Sequence, residues 1–177
     1  MTYTELKDDM LKRIDPAYAS STTYRAMAVV AFIEALKIAM IEMPEEHFQG
    51  FIYKKAITNV SEYSLSDVKT TELKDFVKLI SIKDNAKVKQ YVRKNVSEFE
   101  DRYIKPITAL QNFYTIKEKK IIFYSAIGST ETANMLYFGI PVINDSDDIG
   151  QYLDNYILEK VIEMALPKLR LAIMGAE

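Results

Sequence analysis

The amino-acid sequence predicts a single α+β domain over residues 1–177. Its helical N- and C-terminal segments form a bundle with an inserted antiparallel β lobe. Apolar residues recur with helical spacing near both ends, whereas the middle is strand-like and rich in β-branched and aromatic side chains. A chain of 177 residues is long enough for one good core and short for two. We therefore expect a helical part at 1–49 and 148–177 and a β lobe at 50–147.

Two helices are predicted in the N-terminal segment. Thr2 and Glu5 have the spacing of a capping box at the start of a short amphipathic helix that ends before Asp15. The Ser and Thr residues at 20–23 offer several N-caps for a second helix that continues to about Met43. This second helix is apolar on most sides, so it should lie at the centre of the fold or beneath a neighbouring subunit.

The middle of the chain predicts six strands, at Phe51–Val60, Phe76–Lys83, Ala86–Val92, Phe113–Ile116, Ile121–Tyr124 and Thr132–Ile140. Asp84-Asn85 predicts a two-residue hairpin turn between the second and third strands, and Lys117–Lys120 connects the fourth and fifth. Ser97 is predicted to cap a short helical turn. Strands of this length and spacing indicate an antiparallel sheet or a small sandwich.

A long helix is predicted from Gln151 to about Met174, with the acidic residues at 144–148 as its cap and as charges that complement its dipole. Its two adjacent apolar faces are more than one small sheet needs to bury. Pro167 lacks an amide donor and predicts a kink or break near residues 163–166. The apolar side chains beyond it form either a frayed last turn or a docking segment for a partner: Leu169, Leu171, Ile173 and Met174.

Charge is sorted along the chain, although the net charge is only −2. Residues 1–49 carry −3, residues 50–95 carry +5, residues 96–143 are neutral and residues 144–177 carry −4. Such asymmetry suits a nucleic-acid patch or a head-to-tail contact between identical subunits, and solvated faces of helices and strands also produce it.

Basic residues concentrate around the two predicted turns of the β lobe. Lysines on edge strands commonly protect a sheet against aggregation, which is one interpretation of this pattern. The other interpretation is contact with DNA or a protein partner. The candidate contact residues are Lys87, Lys89, Arg93, Lys117, Lys119 and Lys120.

The residue sets that most enzymes and cofactor sites need are missing from the sequence. There is no cysteine, and His47 is the only histidine, which excludes disulfides, catalytic triads and multi-histidine metal sites. No glycine-rich nucleotide motif is present. Asp145 and Asp147 have the spacing of the first two ligands of a calcium loop, but the later positions of the loop lack the side chains with oxygen ligands that calcium needs. Glu98 and Asp101 are a pair of carboxylates, but nothing in the surrounding sequence indicates a pocket in which they could act on a substrate. We expect no catalytic residue, cofactor or metal.

Membrane insertion is not expected either. The longest strictly apolar run, Ala26–Ile33, is far shorter than the roughly 20 residues that span a bilayer. Acidic residues near the N-terminus take the place of a basic and apolar leader, so no signal peptide is expected.

Several short motifs occur in an order that suggests a family. Thr-Tyr-Thr-Glu-Leu at 2–6 opens the first helix, and the Ser/Thr-capped helix follows. Glu-Tyr-Ser-Leu-Ser-Asp at 62–67 looks like a Tyr-x-Leu-Pro-Asp approach to a strand, with Ser66 where proline is common. A strand pair, the Ser-Glu-Phe turn at 97–99, the strand at 120–124, and Tyr137-x-x-x-Pro141 before the closing helix complete the order. Over nearly the whole chain, this pattern resembles the head-to-tail adaptor (connector) subunits of tailed bacteriophages.

That resemblance implies a structural virion protein without a catalytic role. Identical subunits, commonly twelve, would form a ring beneath the portal protein at the head-tail junction, with DNA passing through the lumen without sequence-specific binding. The ring would be assembled in the cytoplasm of the bacterial host and would bind a downstream tail protein.

In this interpretation the helical ends pack between subunits and against the portal. The interface residues are the four C-terminal apolar side chains together with Phe32 and Leu36 of the second helix. The alternative is a small nucleic-acid-binding module that uses the basic β lobe, and a hydrolytic enzyme is a more distant third.

Overall fold

The computed structural model describes residues 1–68, 73–101, 104–106 and 108–176, without the side chains of 67, 68, 73 and 74. The fold is α+β. The chain divides into two compact units, which we call the helical unit (residues 1–51 and 140–177) and the β unit (residues 52–139).

Within the described residues, the α-helices are α1 (Tyr3–Lys12), α2 (Thr22–Glu42), α3 (Val96–Glu100) and α4 (Asn155–Met174). The strands are β1 (Ile52–Ile57), β2 (Val60–Ser64), β3 (Leu73–Asp84), β4 (Gln90–Arg93), β5 (Gln111–Lys117), β6 (Lys120–Ile127) and β7 (Ala133–Pro141). Short 3₁₀ turns occur at Pro16–Ser20, Glu45–Phe51, Leu65–Val68 and Ile149–Gln151.

The caps of α1 and α2 confirm the sequence predictions. Thr2 and Glu5 form the capping box of α1, each side chain accepting a hydrogen bond from the backbone N–H of the other. The Ser21 hydroxyl accepts a hydrogen bond from the N–H of Tyr24 and caps α2. These two signals are local, so they need no tertiary contact to form.

The cap of α4 differs from the prediction. Asp154 caps this helix by accepting a hydrogen bond from the N–H of Ile157 at 2.9 Å. The acidic residues at 144–148 precede a separate 3₁₀ turn, where Asp148 accepts from the N–H of Gly150 at 2.9 Å. The helix therefore begins at Asn155, and the acidic residues do not cap it.

The core of the helical unit forms where α2 packs against α4 and α1. Phe32 of α2 is 1% exposed and meets the ring of Tyr3 edge to face, with the ring centroids 6.1 Å apart. Leu36, one turn further along α2, is fully buried. Other buried side chains of this core are Leu6, Met10, Leu11, Met40, Ile157, Val161, Ile162 and Leu169.

Pro167 does not break α4, which runs without interruption to Met174. A proline inside a helix costs about 3 kcal/mol through the lost hydrogen bond and a clash with the preceding turn. Beyond the proline, Leu169 and Ile173 are buried, and each contributes roughly 1.5 to 3 kcal/mol. Burial of these two side chains can offset the proline. The predicted break is therefore wrong, and the alternative, a kink near residues 163–166, stays a prediction.

The β unit contains two sheets, with strand orders β1-β7-β3 and β2-β6-β5-β4. Strand β1 pairs antiparallel with β7, and β6 pairs antiparallel with both β2 and β5. Both sheets contribute to one hydrophobic cluster, in which Tyr137 of β7 is 2% exposed and Phe123 of β6 is 4% exposed. The unit is therefore held together by a core that the two sheets share.

The predicted hairpin at Asp84-Asn85 is wrong. Strand β3 lies in the first sheet, whereas β4 lies in the second and pairs in parallel with β5. The reason lies in the Asp84 carboxylate, which accepts hydrogen bonds from the N–H groups of Ala86, Val88 and Lys89 at 3.2, 3.0 and 2.8 Å. These bonds stabilise a wide loop that carries the chain from one sheet to the other.

The hairpin at Lys117–Lys120 is confirmed. Lys117 of β5 pairs directly with Lys120 of β6. The two residues between them, Glu118 and Lys119, have φ angles of 52° and 60°, as a type I′ turn requires. This turn matches the right-handed twist of the flanking strands even though neither residue is glycine.

Two other local predictions are corrected. The strand expected over Phe51–Val60 is divided at Asn59, whose φ of 51° turns the chain from β1 into β2. Ser97 does not cap α3, because Asn95 and Glu98 form a capping box there. The Asn59 backbone adopts a positive φ more readily than most residues would, and the Asn95 side chain is a good N-cap, so both corrections depend on an asparagine that the apolar pattern does not single out.

Candidate interaction surfaces

An apolar stripe on the outside of α2 is the most unusual surface of the helical unit. It consists of Ala26, Met27, Val30, Ile38 and Ile41, which we call the α2 stripe. Val30 is 57% exposed and Ile41 is 56% exposed. At 1.5 Å per residue, the stripe spans about 22 Å, and Glu34 and Lys37 lie on the same face and divide it into two apolar patches. Exposed apolar patches on a helix are typical of a protein interface.

A groove beside the stripe separates α2 from α4 and has a volume of about 610 Å³. Small side chains leave this space open, namely Ala26 and Ala31 on α2 and Ala172 on α4. Glu34 and Lys168 also line the groove and form an ion pair at 3.1 Å. Since the Lys168 and Glu34 side chains are 39% and 53% exposed, water screens this pair and it adds little stability. The groove can therefore receive an apolar side chain from a partner.

The six residues predicted as a partner interface are not all on the surface. Phe32, Leu36, Leu169 and Ile173 are at most 2% exposed and belong to the core of the helical unit. Leu171 and Met174 are 71% and 73% exposed. The predicted docking segment is thus the last part of an amphipathic helix, and only its outer face is free to contact a partner.

The acidic residues at 144–148 hold the start of α1 in place. The carbonyl oxygen of Asp145 accepts hydrogen bonds from the N–H and the hydroxyl of Thr4, at 3.2 and 3.1 Å. The carboxylate of Asp145 forms an ion pair with Lys7, and Asp148 forms one with the N-terminal amine at 3.1 Å. This cluster therefore has a structural role, which sequence periodicity does not reveal.

Three of the six candidate cations in the β unit are already paired with carboxylates. Lys89 meets Glu131 at 2.7 Å, Lys117 meets Glu100 at 2.7 Å and Lys120 meets Glu62 at 3.2 Å. The hydrogen bond from Lys89 lowers the pKa of Glu131, and the hydrogen bond to Glu100 raises the pKa of Lys117. Among the described residues, Lys87, Arg93 and Lys119 form no ion pair.

The candidate cations also lie at opposite ends of one sheet. Gln90, which follows Lys89, pairs with Gln111 at the start of β5, whereas Lys117 is the last residue of that strand. Six residue steps along a strand correspond to about 20 Å. The structure therefore separates the loop at residues 87–89 from the hairpin at residues 117–120 and does not assemble one basic patch.

A cleft of about 410 Å³ lies beside the start of β4, and sequence reasoning missed it. We call it the β4 cleft. Val88 and Leu110 line it and are 61% and 56% exposed. Burial raises the pKa of Tyr91, which also lines the cleft, to about 12, and the nearby carboxylates act in the same direction. The other lining residues are Asp84, Asn85, Ala86, Lys89, Ala109, Thr130, Glu131 and Thr132.

The two units carry opposite net charge. The helical unit has eight Lys and Arg against fifteen Asp and Glu, a net charge of −7. The β unit has fifteen Lys and Arg against ten Asp and Glu, a net charge of +5. The uneven distribution of charge along the sequence therefore corresponds to an acidic helical unit and a basic β unit.

No cluster of three or more His, Asp or Glu side chains that could hold a metal ion occurs in the described ranges. Glu98, one of the paired carboxylates singled out in the sequence, accepts a hydrogen bond from the N–H of Asn95 in the capping box of α3. Within the part of the chain that the structure describes, no helix has the length and apolarity needed to cross a bilayer.

Comparison of the chain with models of protein families and with curated proteins finds no match.

Proposed function

We propose that this chain is a non-catalytic structural subunit of a tailed bacteriophage, which forms the adaptor ring between the portal and the tail. In the proposed particle, identical subunits surround a lumen through which DNA passes, and their number is twelve, as is common in the family that the chain resembles. The ring binds the portal protein on one side and a downstream tail protein on the other. It resides at the head-tail junction of the virion after assembly in the host cytoplasm.

The observation that carries this proposal is the α2 stripe. A helix with apolar residues on its outer face needs a second protein surface to cover it. Val30 and Ile41 are both more than half exposed, and the groove beside Val30 is open to a neighbouring side chain. A subunit of a ring requires such a surface, because each copy contacts two neighbours.

The division of the chain into two units also supports the proposal. In the proposed ring, the helical unit is a bundle that contacts neighbouring subunits and the portal, and the β unit is the inserted lobe that faces outward or toward the tail. The entry helix, the Ser/Thr-capped helix, the strand at 120–124 and the closing helix occur in the order on which the resemblance rests, whereas the expected strand pair is divided between the two sheets.

The test is the oligomeric state of the full chain by sedimentation velocity, for the native sequence and for Val30→Asp. We expect the native chain to form a ring-sized oligomer and Val30→Asp to remain a monomer with an unchanged circular dichroism spectrum. A charge on the stripe would have to be buried without a partner, which costs several kcal/mol per contact.

A matched control is Tyr156→Asp, which places the same charge at a side chain that is 66% exposed and lies outside the stripe. Residue 156 is in the first turn of α4, where a negative charge is favourable. This variant should assemble as the native chain does. Equal assembly of Val30→Asp and the native chain would contradict the proposal.

A further inference from the structure

The β4 cleft has features of a preformed binding surface. Its loop is fixed by the three hydrogen bonds to the Asp84 carboxylate and by the ion pair of Lys89 with Glu131 at 2.7 Å. A rigid surface of this kind loses little conformational entropy when a partner binds. Two large apolar side chains, Val88 and Leu110, are nevertheless more than half exposed on it.

Two cations without an ion-pair partner lie beside the cleft, outside its lining. Lys87 is exposed in the loop that forms one wall, and Lys105 is exposed in an adjoining cavity that shares Lys89 and Ala109 with the cleft. Among the described residues, neither Lys87 nor Lys105 forms an ion pair. The two carboxylates in the lining of the cleft are already engaged, Asp84 by the N–H groups of its loop and Glu131 by Lys89. The unpaired cations beside the cleft therefore suit a partner that presents apolar side chains together with carboxylates.

The helical unit offers a segment with this chemistry, at residues 41–46. Ile41 at the end of the α2 stripe is 56% exposed, and Pro44 is exposed three residues later. Glu42 and Glu46 are exposed and form no ion pair among the described residues. The segment thus combines apolar and acidic side chains on the unit whose net charge is −7.

We propose that the β4 cleft of one copy binds residues 41–46 of a second copy. Ile41 and Pro44 contact Val88 and Leu110, while Glu42 and Glu46 face Lys87 and Lys105. This inference rests on the proposed function, since it names the surface that the acidic end of the α2 stripe meets. Because the cleft and the segment are different surfaces, each copy uses both at once, and the contact continues from copy to copy until a ring closes.

The experiment is a charge exchange in the full chain. The first variant carries Lys87→Glu and Lys105→Glu, and the second carries Glu42→Lys and Glu46→Lys. Each variant alone places like charges in contact, so its association constant should fall at least about tenfold at low salt. In an equimolar mixture every contact again joins opposite charges, so association should be restored.

A matched control carries Lys54→Glu and Lys119→Glu. This control makes the same change in net charge at two exposed cations of the β unit that do not line the cleft. It should associate as the native chain does. Association of the native chain should weaken between about 50 mM and about 500 mM NaCl, because screening shortens the range of the attraction.

The outcomes separate this inference from the proposed function. If the native chain assembles and Val30→Asp does not, but the mixture fails to recover or the control is equally impaired, the cleft contact is wrong and the ring proposal stands. If the first variant loses affinity for a DNA duplex while its self-association is unchanged, the cleft is a nucleic-acid surface and the inference is overturned. A native chain that stays at single-copy size both alone and with the portal protein overturns both.

Discussion

Two leucines on α4 provide a sharp test of how this helix ends. Leu169 is fully buried and Leu171 is 71% exposed, although they are the same residue type two positions apart. We predict that Leu169→Ala lowers the free energy of unfolding by about 3 to 5 kcal/mol, because it removes a buried side chain and leaves a cavity. Leu171→Ala should change it by less than about 0.5 kcal/mol, since its side chain is mostly in water.

The assay is urea unfolding of each variant, followed by far-UV circular dichroism at a protein concentration low enough to keep the chain monomeric. Under the same conditions, truncation after Leu166 would remove both Leu169 and Ile173. Its cost of roughly 5 to 10 kcal/mol is comparable to the total stability of a typical domain. Point substitutions therefore test docking more cleanly than truncation does. Equal effects of the two alanine substitutions, or a cost below about 1 kcal/mol for Leu169→Ala, would refute this assignment of α4.

Three further predictions concern the β unit. Burial raises the pKa of Tyr137 to about 12, so its contribution to stability is complete below pH 10 and is lost as pH rises toward 12. Tyr137→Phe should therefore reduce the alkaline loss of stability by about 2 kcal/mol, which urea unfolding at pH 9 to 12 measures, and an unchanged alkaline loss would contradict this. Replacing Glu118 by Asn and Lys119 by Gly should raise the melting temperature, because Asn and Gly adopt the two positive φ angles of the type I′ turn with less strain. The relieved strain is worth about 1 kcal/mol, and a lower melting temperature would contradict the turn assignment. Asn112→Ala should cost about 1 to 3 kcal/mol in urea unfolding, since its buried amide bonds both backbone groups of Ser125 at 2.8 and 3.0 Å; an unchanged midpoint would contradict this.

Local signals in the sequence predicted the helices well. The capping residues Thr2 and Ser21 act on amides within three residues, so their effect does not depend on the rest of the fold. The hairpin at Lys117–Lys120 was predictable for the same reason, because its turn and its first strand pair are adjacent in sequence.

Strand pairing was not predictable in the same way. The residues of β3 and β4 look like two strands of a hairpin, yet Asp84 uses its carboxylate to hold a wide loop and β4 pairs with β5. Pairing in parallel across an intervening segment depends on which apolar faces meet in the common core, and this information is spread over both sheets. The same limit explains why the β4 cleft carries no signal in the sequence.

The predicted partner interface was partly wrong because all apolar residues near the end of α4 were assigned to the surface, without regard to the side of the helix on which each one lies. Leu169 and Ile173 are four positions apart and face inward, whereas Leu171 and Met174 are three apart and face outward. The basic residues were likewise grouped by sequence position, while the parallel pairing of β4 with β5 separates Lys87 from Lys119. Which cations remain unpaired depends on carboxylates that are distant in sequence.

The most direct test of the proposed function is electron microscopy of the purified chain, alone and together with the portal protein encoded by the same genome. We expect closed rings of one fixed copy number with an open lumen, formed by the chain alone or on the portal, and lost in Val30→Asp. Particles of single-copy size under both conditions, with no binding to the portal, would contradict it.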